Sequence, residues 1–402
     1  MKQAQYLSKS SREAVWSKAI SMKDFAVIGA GVFGAWTAHF LRRSGASVAL
    51  VDAYGAANSR ASSAGETRVI RMGYGPDELY TRWAMRSLPL WREFFARINR
   101  DLFHRAGVLW LSNDQDLYTQ QLFDVLDRSK IACEKLSAQE IQRRWPQLHF
   151  DDVTWGVLEP ESGVLMARNA VQAMVHELTQ NGVDYSVAAV LPSGGGGKLT
   201  EVKTNAGDSI SARTFIFACG PWLPKMFPDL LGERIFPTRQ EVFFLGQPAG
   251  KNDFRVPNMP VWLHHTHPDL PYALPDIENR GFKIAFDRHG AEFDPDAGAR
   301  VIGPASIEHL RVYLDNHIPA LRDAPILETR VCQYENTSNG DFLVDRHPDF
   351  ENVWIAGGGS GHGFKHGPAL GEYLSGRILH NAPTELRLSL ATKQRLRMRL
   401  VY

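Results

Sequence analysis

The chain has 402 residues, 44% hydrophobic and 22% charged, an ordinary composition for a globular protein. That length exceeds what one compact core usually holds, so two domains are expected. Lys and Arg total 45 against 44 Asp and Glu, a balance that gives no electrostatic case for nucleic acid or an anionic membrane.

The opening stretch to Met22 lacks the apolar run of roughly 7–15 residues that a secretory signal needs, and reads as a short extension ahead of the fold. "FAVIG" is then an apolar strand, "GAGVFG" a glycine-punctuated turn, "AWTAHFLRRSG" a helix closed by Gly45, and "SVALVD" a second strand. Together they make a βαβ unit of about 30 residues. The small-residue loop that follows, through "GETRVIRMGYG", is too long for a mere connection. "DELYTRWAMRSLPLWREFFARI" is an amphipathic helix and "AGVLWLS" a strand. "SAQEIQRRWP" is a helix opened by the capping box of Ser137 and Glu140. "NAVQAMVHELTQNGV" is a further helix, "PSGGGGKLTEV" is expected at a hairpin tip, and "TFIFACG" is a buried strand. From Phe236 to Pro325 short alternating runs such as "EVFFLG" and "FKIAFD" predict antiparallel sheet. "NVWIAGGGSGHGFKHGPALGEYLSGRIL" returns to the strand–loop–helix texture of the start.

The expected fold is therefore α/β (α+β): a Rossmann-like nucleotide domain with an interrupted chain, and an antiparallel-sheet substrate domain. Residues 1–22 are the extension. Residues 23–235 and 330–390 form the nucleotide domain, with part of the substrate region between 107 and 159. Residues 236–329 form the substrate domain and 391–402 a tail. No run approaches ~18 apolar residues, so no membrane span is expected. Cys133, Cys219 and Cys332, with no CxxC, predict a reducing, cytoplasmic setting without disulfides or a metal site.

Gly29, Gly31 and Gly34 form G-x-G-x-x-G between a strand and a helix, and Asp52 ends the next strand. The glycines let backbone approach a pyrophosphate at a helix N-terminus, and the acid would accept the ribose hydroxyls. This pattern binds an ADP half and does not itself choose between NAD and FAD. Its place at the start of the fold, with no second complete fingerprint, favours FAD. Near the other end, Gly358, Gly359, Gly361, His362 and Gly363 belong to a loop that would aim backbone N–H groups at a helix start, suited to the negative edge of a reduced flavin.

The segments "VIGAGVFG", "GETRVIRMGYG", "ESGVL", "ACGPWLPKMF", "PTRQEVFF", "YALPDIENRGFKIAF", "CQYENTSNGDFLVDRHP" and "GGGSGHGFKHGP" together resemble the monomeric sarcosine oxidase and N-methyl-amino-acid oxidase group of the D-amino-acid oxidase flavoproteins. The similarity runs from about Lys23 to the last helix. It implies FAD carried covalently on Cys332, a thiolate being the right nucleophile for the flavin 8α-methyl. It further implies Lys283 against the flavin, activating oxygen, with Tyr272 and Tyr334 in the active site. Arg71 and Lys365 would grip a substrate carboxylate, and Arg68 would lie on the flavin face. The implied reaction is hydride transfer from a secondary or N-methyl amino acid to flavin N5, with an imine product and reoxidation by O2 to peroxide. A monomer acting on a small amino acid is expected. The chain departs from the group at Asp287, where a histidine is usual, with His289 two residues on, and at Ala64 ahead of "GETR". The cage around the amine therefore differs. A flavin dehydrogenase with another acceptor, a flavin subunit without turnover and an oxidase of glycated amino acids stay open beside this reading.

Overall fold

The computed structural model describes residues 22–395. The extension expected at 1–22 lies outside the described residues apart from Met22, as does the expected tail beyond 395. Leu390–Thr392 form a short 3-10 turn, and Lys393 behind it is buried with its ammonium on Asn339 Oδ1 at 3.1 Å.

One sheet runs in the order Leu343–Arg346, Val353–Gly357, Ser209–Phe217, Lys23–Ile28, Val48–Asp52, Asp184–Val187, with Glu201–Lys203 as a branch on Ser209–Phe217. Its central strands are parallel. Such strands are covered on both faces, which is why "FAVI" and "VALV" are unbroken apolar runs rather than alternations. The Val32–Arg43 and Gly367–His380 helices cover one face side by side. Their approach depends on two glycines one turn apart. A Cβ on Gly367 would lie 2.5 Å from Val32 Cγ2, and one on Gly371 2.7 Å from the Trp36 carbonyl carbon. The C-terminal segment thus completes the sheet that the N-terminal segment starts.

The hairpin falls one step later than expected. Glu201–Lys203 pairs with Ser209–Ser211 across a turn in which Gly207 takes φ +89°. "PSGGGG" instead reaches across to bridge Gly197 with Phe350. The N-A-G-D stretch supplies the turn geometry, while the glycine run supplies only reach.

The second sheet has eight strands in the order Ile326–Thr337, Ile235–Leu245, Phe282–Phe286, Pro271–Leu274, Val261–His264, Val108–Ser112, Trp155–Glu159, Glu134–Ser137. All pairs are antiparallel except Val108–Ser112 with Val261–His264. The boundary expected at 330 falls inside Ile326–Thr337, all of which belongs to this sheet. Period-two alternation splits its residues between two environments. Phe243, Leu245, Phe282, Ile284 and Val331 face a core shared with Leu310 and Leu314 of the Pro304–His317 helix. Val242, Phe244, Ala285, Tyr272 and Cys332 cluster on the other face, which turns toward the first sheet. Lys283 lies opposite Phe244 and Leu274, so it shares that second face.

Candidate active site

A cleft of about 290 Å³ opens along the carboxyl ends of the parallel strands, the usual place for a ligand in such a sheet. Asp52 stands at one end. Its Oδ2 accepts the Ala30 N–H at 2.8 Å and its Oδ1 the Tyr54 N–H at 3.0 Å; burial pushes this carboxyl up from its usual range. Gly29 turns the chain at φ +103°, where a Cβ would lie 2.3 Å from the Ala218 carbonyl oxygen. Arg68 and Cys332 stand at the far end. Arg68 Nη2 is 3.3 Å from Cys332 Sγ and donates to the Ser62 carbonyl at 2.8 Å.

Of the residues expected to hold a dinucleotide, Gly29, Gly31, Asp52, Arg68, Cys332, Gly359, Gly361 and Gly363 line this cleft. Gly34, Gly358 and His362 stand behind its wall. Gly34 packs the first helix onto the turn, a Cβ there falling 1.8 Å from the Gly29 carbonyl oxygen. Gly358, at φ +68°, is hemmed by Thr337. His362 is buried with its ring on the Gly340 carbonyl at 3.1 Å and the Tyr74 hydroxyl at 3.3 Å.

A smaller chamber of about 70 Å³ adjoins the Arg68 end, sharing Arg68, Tyr334, Gly361 and Phe364 with the cleft. Arg71, Lys365, Lys283, Tyr272 and Tyr334 all line it, together with Asp287. Arg71 comes directly after the short strand Arg68–Ile70. Its guanidinium lies over the rings of Tyr74 at 4.3 Å and Trp110 at 4.7 Å, and donates to the Gly73 carbonyl. Lys365 Nζ donates to Tyr74 Oη at 2.8 Å and the His362 carbonyl at 3.0 Å, two of the three bonds an ammonium can make. Lys283 Nζ donates to the Thr67 carbonyl at 2.7 Å and the Gly65 carbonyl at 3.4 Å. Tyr334 donates to Asp287 Oδ1 at 2.6 Å.

The profile of the family described as FAD dependent oxidoreductase (DAO) matches residues 24–377. The chain belongs to this family. It is 29% identical to the monomeric sarcosine oxidase of Bacillus sp. (strain B-0618) over 88% of this chain and 91% of that one. It is 26% identical to the N-methyl-L-tryptophan oxidase of Yersinia pestis (strain Pestoides F) over 93% and 99%. Among solved structures, the fructosamine oxidase of Aspergillus fumigatus (Amadoriase II) superposes with a TM-score of 0.77 at 20% identity, covering 93% of this chain and 92% of that one, a likeness of fold.

The cleft of this DAO-family oxidoreductase fits FAD. Gly31 carries the decisive observation. Its backbone is extended at φ −71°, open to any residue, and a Cβ would meet nothing nearer than Ser63 Oγ at 3.4 Å. The protein itself does not require glycine there, whereas a pyrophosphate drawn close to the helix N-terminus would. Gly34 is the opposite case. Gly34→Ala is expected to lower stability by about 1–3 kcal/mol through overpacking. Gly31→Ala should leave the melting temperature of the flavin-free protein near wild type and reduce flavin retention. Thermal unfolding and flavin content, measured on both variants, separate the two roles.

Electrostatics set the chamber apart. Burial, then the neighbouring Arg71 charge, holds Lys365 well below the usual lysine range. Burial, then Arg68, does the same to Lys283. Burial pushes Asp287, Tyr272 and Tyr334 up. Clustered cations in so small a space are relieved by an anion that enters with them.

Two further carboxyls of this oxidoreductase escaped the sequence reading. Glu159 is 1% exposed and accepts four bonds: Met72 N–H at 2.7 Å, Gly73 N–H at 3.1 Å, Trp110 Nε1–H at 2.8 Å and Ser162 Oγ–H at 2.7 Å. It thereby fixes the turn after Arg71 and one of the rings beneath its guanidinium. Glu335 lines the middle of the cleft, with Oε1 on the Gly359 N–H at 3.2 Å and burial pushing it up to about 7. Glu159 ends an apolar strand, and only its burial distinguishes it from a solvated strand-end acid. Cys219, which the sequence suggests is core, also lines the cleft.

Proposed function

We propose that the chain is an FAD-dependent oxidase of a small secondary or N-methyl amino acid, with O2 as acceptor and the flavin joined to Cys332. The observation that carries this reading is the meeting of Arg71, Lys365, Lys283, Tyr272 and Tyr334 in one chamber beside the Cys332 end of the cofactor cleft. FAD, when bound, supplies the hydride acceptor. Gly29, Gly31 and Asp52 would hold its ADP half, and Arg68, Gly361 and Gly363 the flavin end. Cys332 would hold the flavin end through its sulfur, a thiolate being the nucleophile suited to the 8α-methyl.

The protein's own part is orientation and charge. Arg71 supplies a planar fork and Lys365 a third N–H for a carboxylate, which suits an amino acid. The two tyrosines and Leu263 and Leu274 close the chamber around the remainder. Lys283 brings an ammonium to the wall on which Cys332 lies.

The direct test is peroxide release and oxygen uptake across N-methyl, cyclic and glycated amino acids. Peroxide from the first two groups supports the reading. Turnover of glycated amino acids alone, or turnover only with an artificial acceptor, replaces it with one of its rivals. The clamp can be tested separately. Arg71→Ala is expected to weaken simple carboxylate inhibitors by about 1.5–3 kcal/mol with flavin retained, the range for charge-assisted hydrogen bonds. Arg71→Lys should recover only part, lacking the fork. A better substrate without a carboxylate would overturn the amino-acid class.

A further inference from the structure

Asp287 is the one carboxylate in a chamber otherwise lined by cations, tyrosines, apolar side chains and loop residues that include His362. It follows the Phe282–Phe286 strand that carries Lys283. Tyr334 occupies its Oδ1 at 2.6 Å, which leaves Oδ2 without a hydrogen bond among the described residues. The charges of Arg71, Lys365 and Arg68 all act on it. Half-buried and lining the chamber, this acceptor oxygen is open to a donor carried by a ligand.

Resting on the amino-acid reading above, we propose that Asp287 receives the substrate amine: with the carboxylate held by Arg71 and Lys365, Asp287 Oδ2 pairs with the ammonium and takes its proton. The class selected is a zwitterionic α-amino acid presented as it exists in neutral solution. In the step, one N–H bond of the ammonium breaks and an O–H bond forms on Asp287. The electron pair freed on nitrogen closes the C=N bond as the α-hydrogen leaves as hydride to the flavin. Without a proton acceptor, only the scarce neutral amine could react.

The groups facing Asp287 are Tyr334 and Tyr272 from the sheet, Arg68 from the Arg68–Ile70 strand and Arg71 directly after it, and Lys365 from the turn at 364–366. Tyr118 acts from the Leu117–Arg128 helix. His362 and His366, behind Lys365, are kept neutral by burial. Burial raises the Asp287 carboxyl, while the Tyr334 bond and then Arg71 and Lys365 oppose this. The ionised form, and with it ammonium binding, is therefore lost on acidification at a higher pH than for an ordinary carboxyl.

The test uses the flavin-loaded protein and two probes of one shape. α-Aminoisobutyrate and pivalate differ by an ammonium in place of a methyl, and neither has an α-hydrogen to lose. Titration followed by flavin absorbance at pH 8 should give a preference for α-aminoisobutyrate of about tenfold or more in the wild type. Asp287→Asn should abolish that preference while pivalate still binds, at least as tightly as in the wild type. With a substrate found in the panel, flavin reduction in Asp287→Asn should be roughly 10²–10³-fold slower at pH 7. It should approach wild type near pH 10, where an alkyl amine sheds its own proton. Asp287→Glu should restore part of the rate. An unchanged preference, or an equal loss at every pH with both probes weakened alike, overturns the proposal. If Arg71→Ala leaves pivalate binding unchanged, or no amino acid reduces the wild-type flavin at any pH, the amino-acid reading falls and this proposal with it.

Discussion

Lys283→Met is expected to slow the reaction of the reduced enzyme with oxygen by roughly 10²–10³-fold, and to slow reduction by substrate far less. The side chain is 2% exposed, between Phe282 and Ile284, in a strand whose other face is core. A lysine so placed is costly unless its charge serves something. Two backbone carbonyls, of Thr67 and Gly65, hold the ammonium, and an ammonium can donate once more. Negative charge building on oxygen beside it would be stabilised by a donor fixed in advance. Methionine keeps the length and removes the charge. Because burial holds the Lys283 ammonium well below the usual lysine range, the charged form is present at low pH and lost as pH rises through that lowered value. The oxygen reaction of the wild type should therefore fall with rising pH earlier than an ordinary lysine would allow, and that of Lys283→Met should be flat. Stopped-flow traces of the two half-reactions provide the measurement. Equal slowing of both would leave the lysine only a structural part.

Cys332→Ala is expected to convert a flavin that survives denaturation into one that washes away. Wild-type protein precipitated in acid should stay yellow, with a mass above that of the bare chain; the variant's pellet should be white and its supernatant yellow. Cys332 lies opposite Gln240 in the longest strand pairing of the second sheet, with its sulfur 3.3 Å from Arg68. Cys219 offers an internal control. It also lines the cleft, yet burial pushes its thiol up and its sulfur leans on the Ile28 carbonyl at 3.5 Å. Cys219→Ala should leave the pellet yellow. A wild-type mass equal to the bare chain would remove the thioether and leave the FAD cleft untouched.

The parts of the site that rest on local order were legible in the sequence. The glycine fingerprint, Asp52 at a strand end and the Ser137–Glu140 capping box, present with both of its bonds, each fall within a few residues or one βαβ unit. The return of the last helix was legible in its texture, though the glycine contacts that lock it to Trp36 were not. What escaped depends on partners far along the chain. Whether a strand residue faces core or cofactor follows from register, and a shift of one residue exchanges the faces. Lys283 faces the site because Phe282 and Ile284 pair into the core. Asp287 read as a departure from a family pattern, and its open oxygen depends on Tyr334 arriving from another strand. Glu159 looked like any strand-end acid because its four donors come from three separate segments.

The cofactor cleft joins Gly29 and Gly31 to Gly359, Gly361 and Gly363, and the strand at Val353–Gly357 that presents the latter pairs into the same sheet as the first strand. During synthesis at roughly 5–20 residues per second, the nucleotide turn leaves the ribosome tens of seconds before the loop that completes its binding site. Over that interval the early strands wait with an unpaired neighbour position and no flavin to steady them. A nascent chain halted near residue 320 would carry the whole fingerprint yet lack Gly359, Gly361 and Gly363 of the cleft, and is expected to retain flavin poorly.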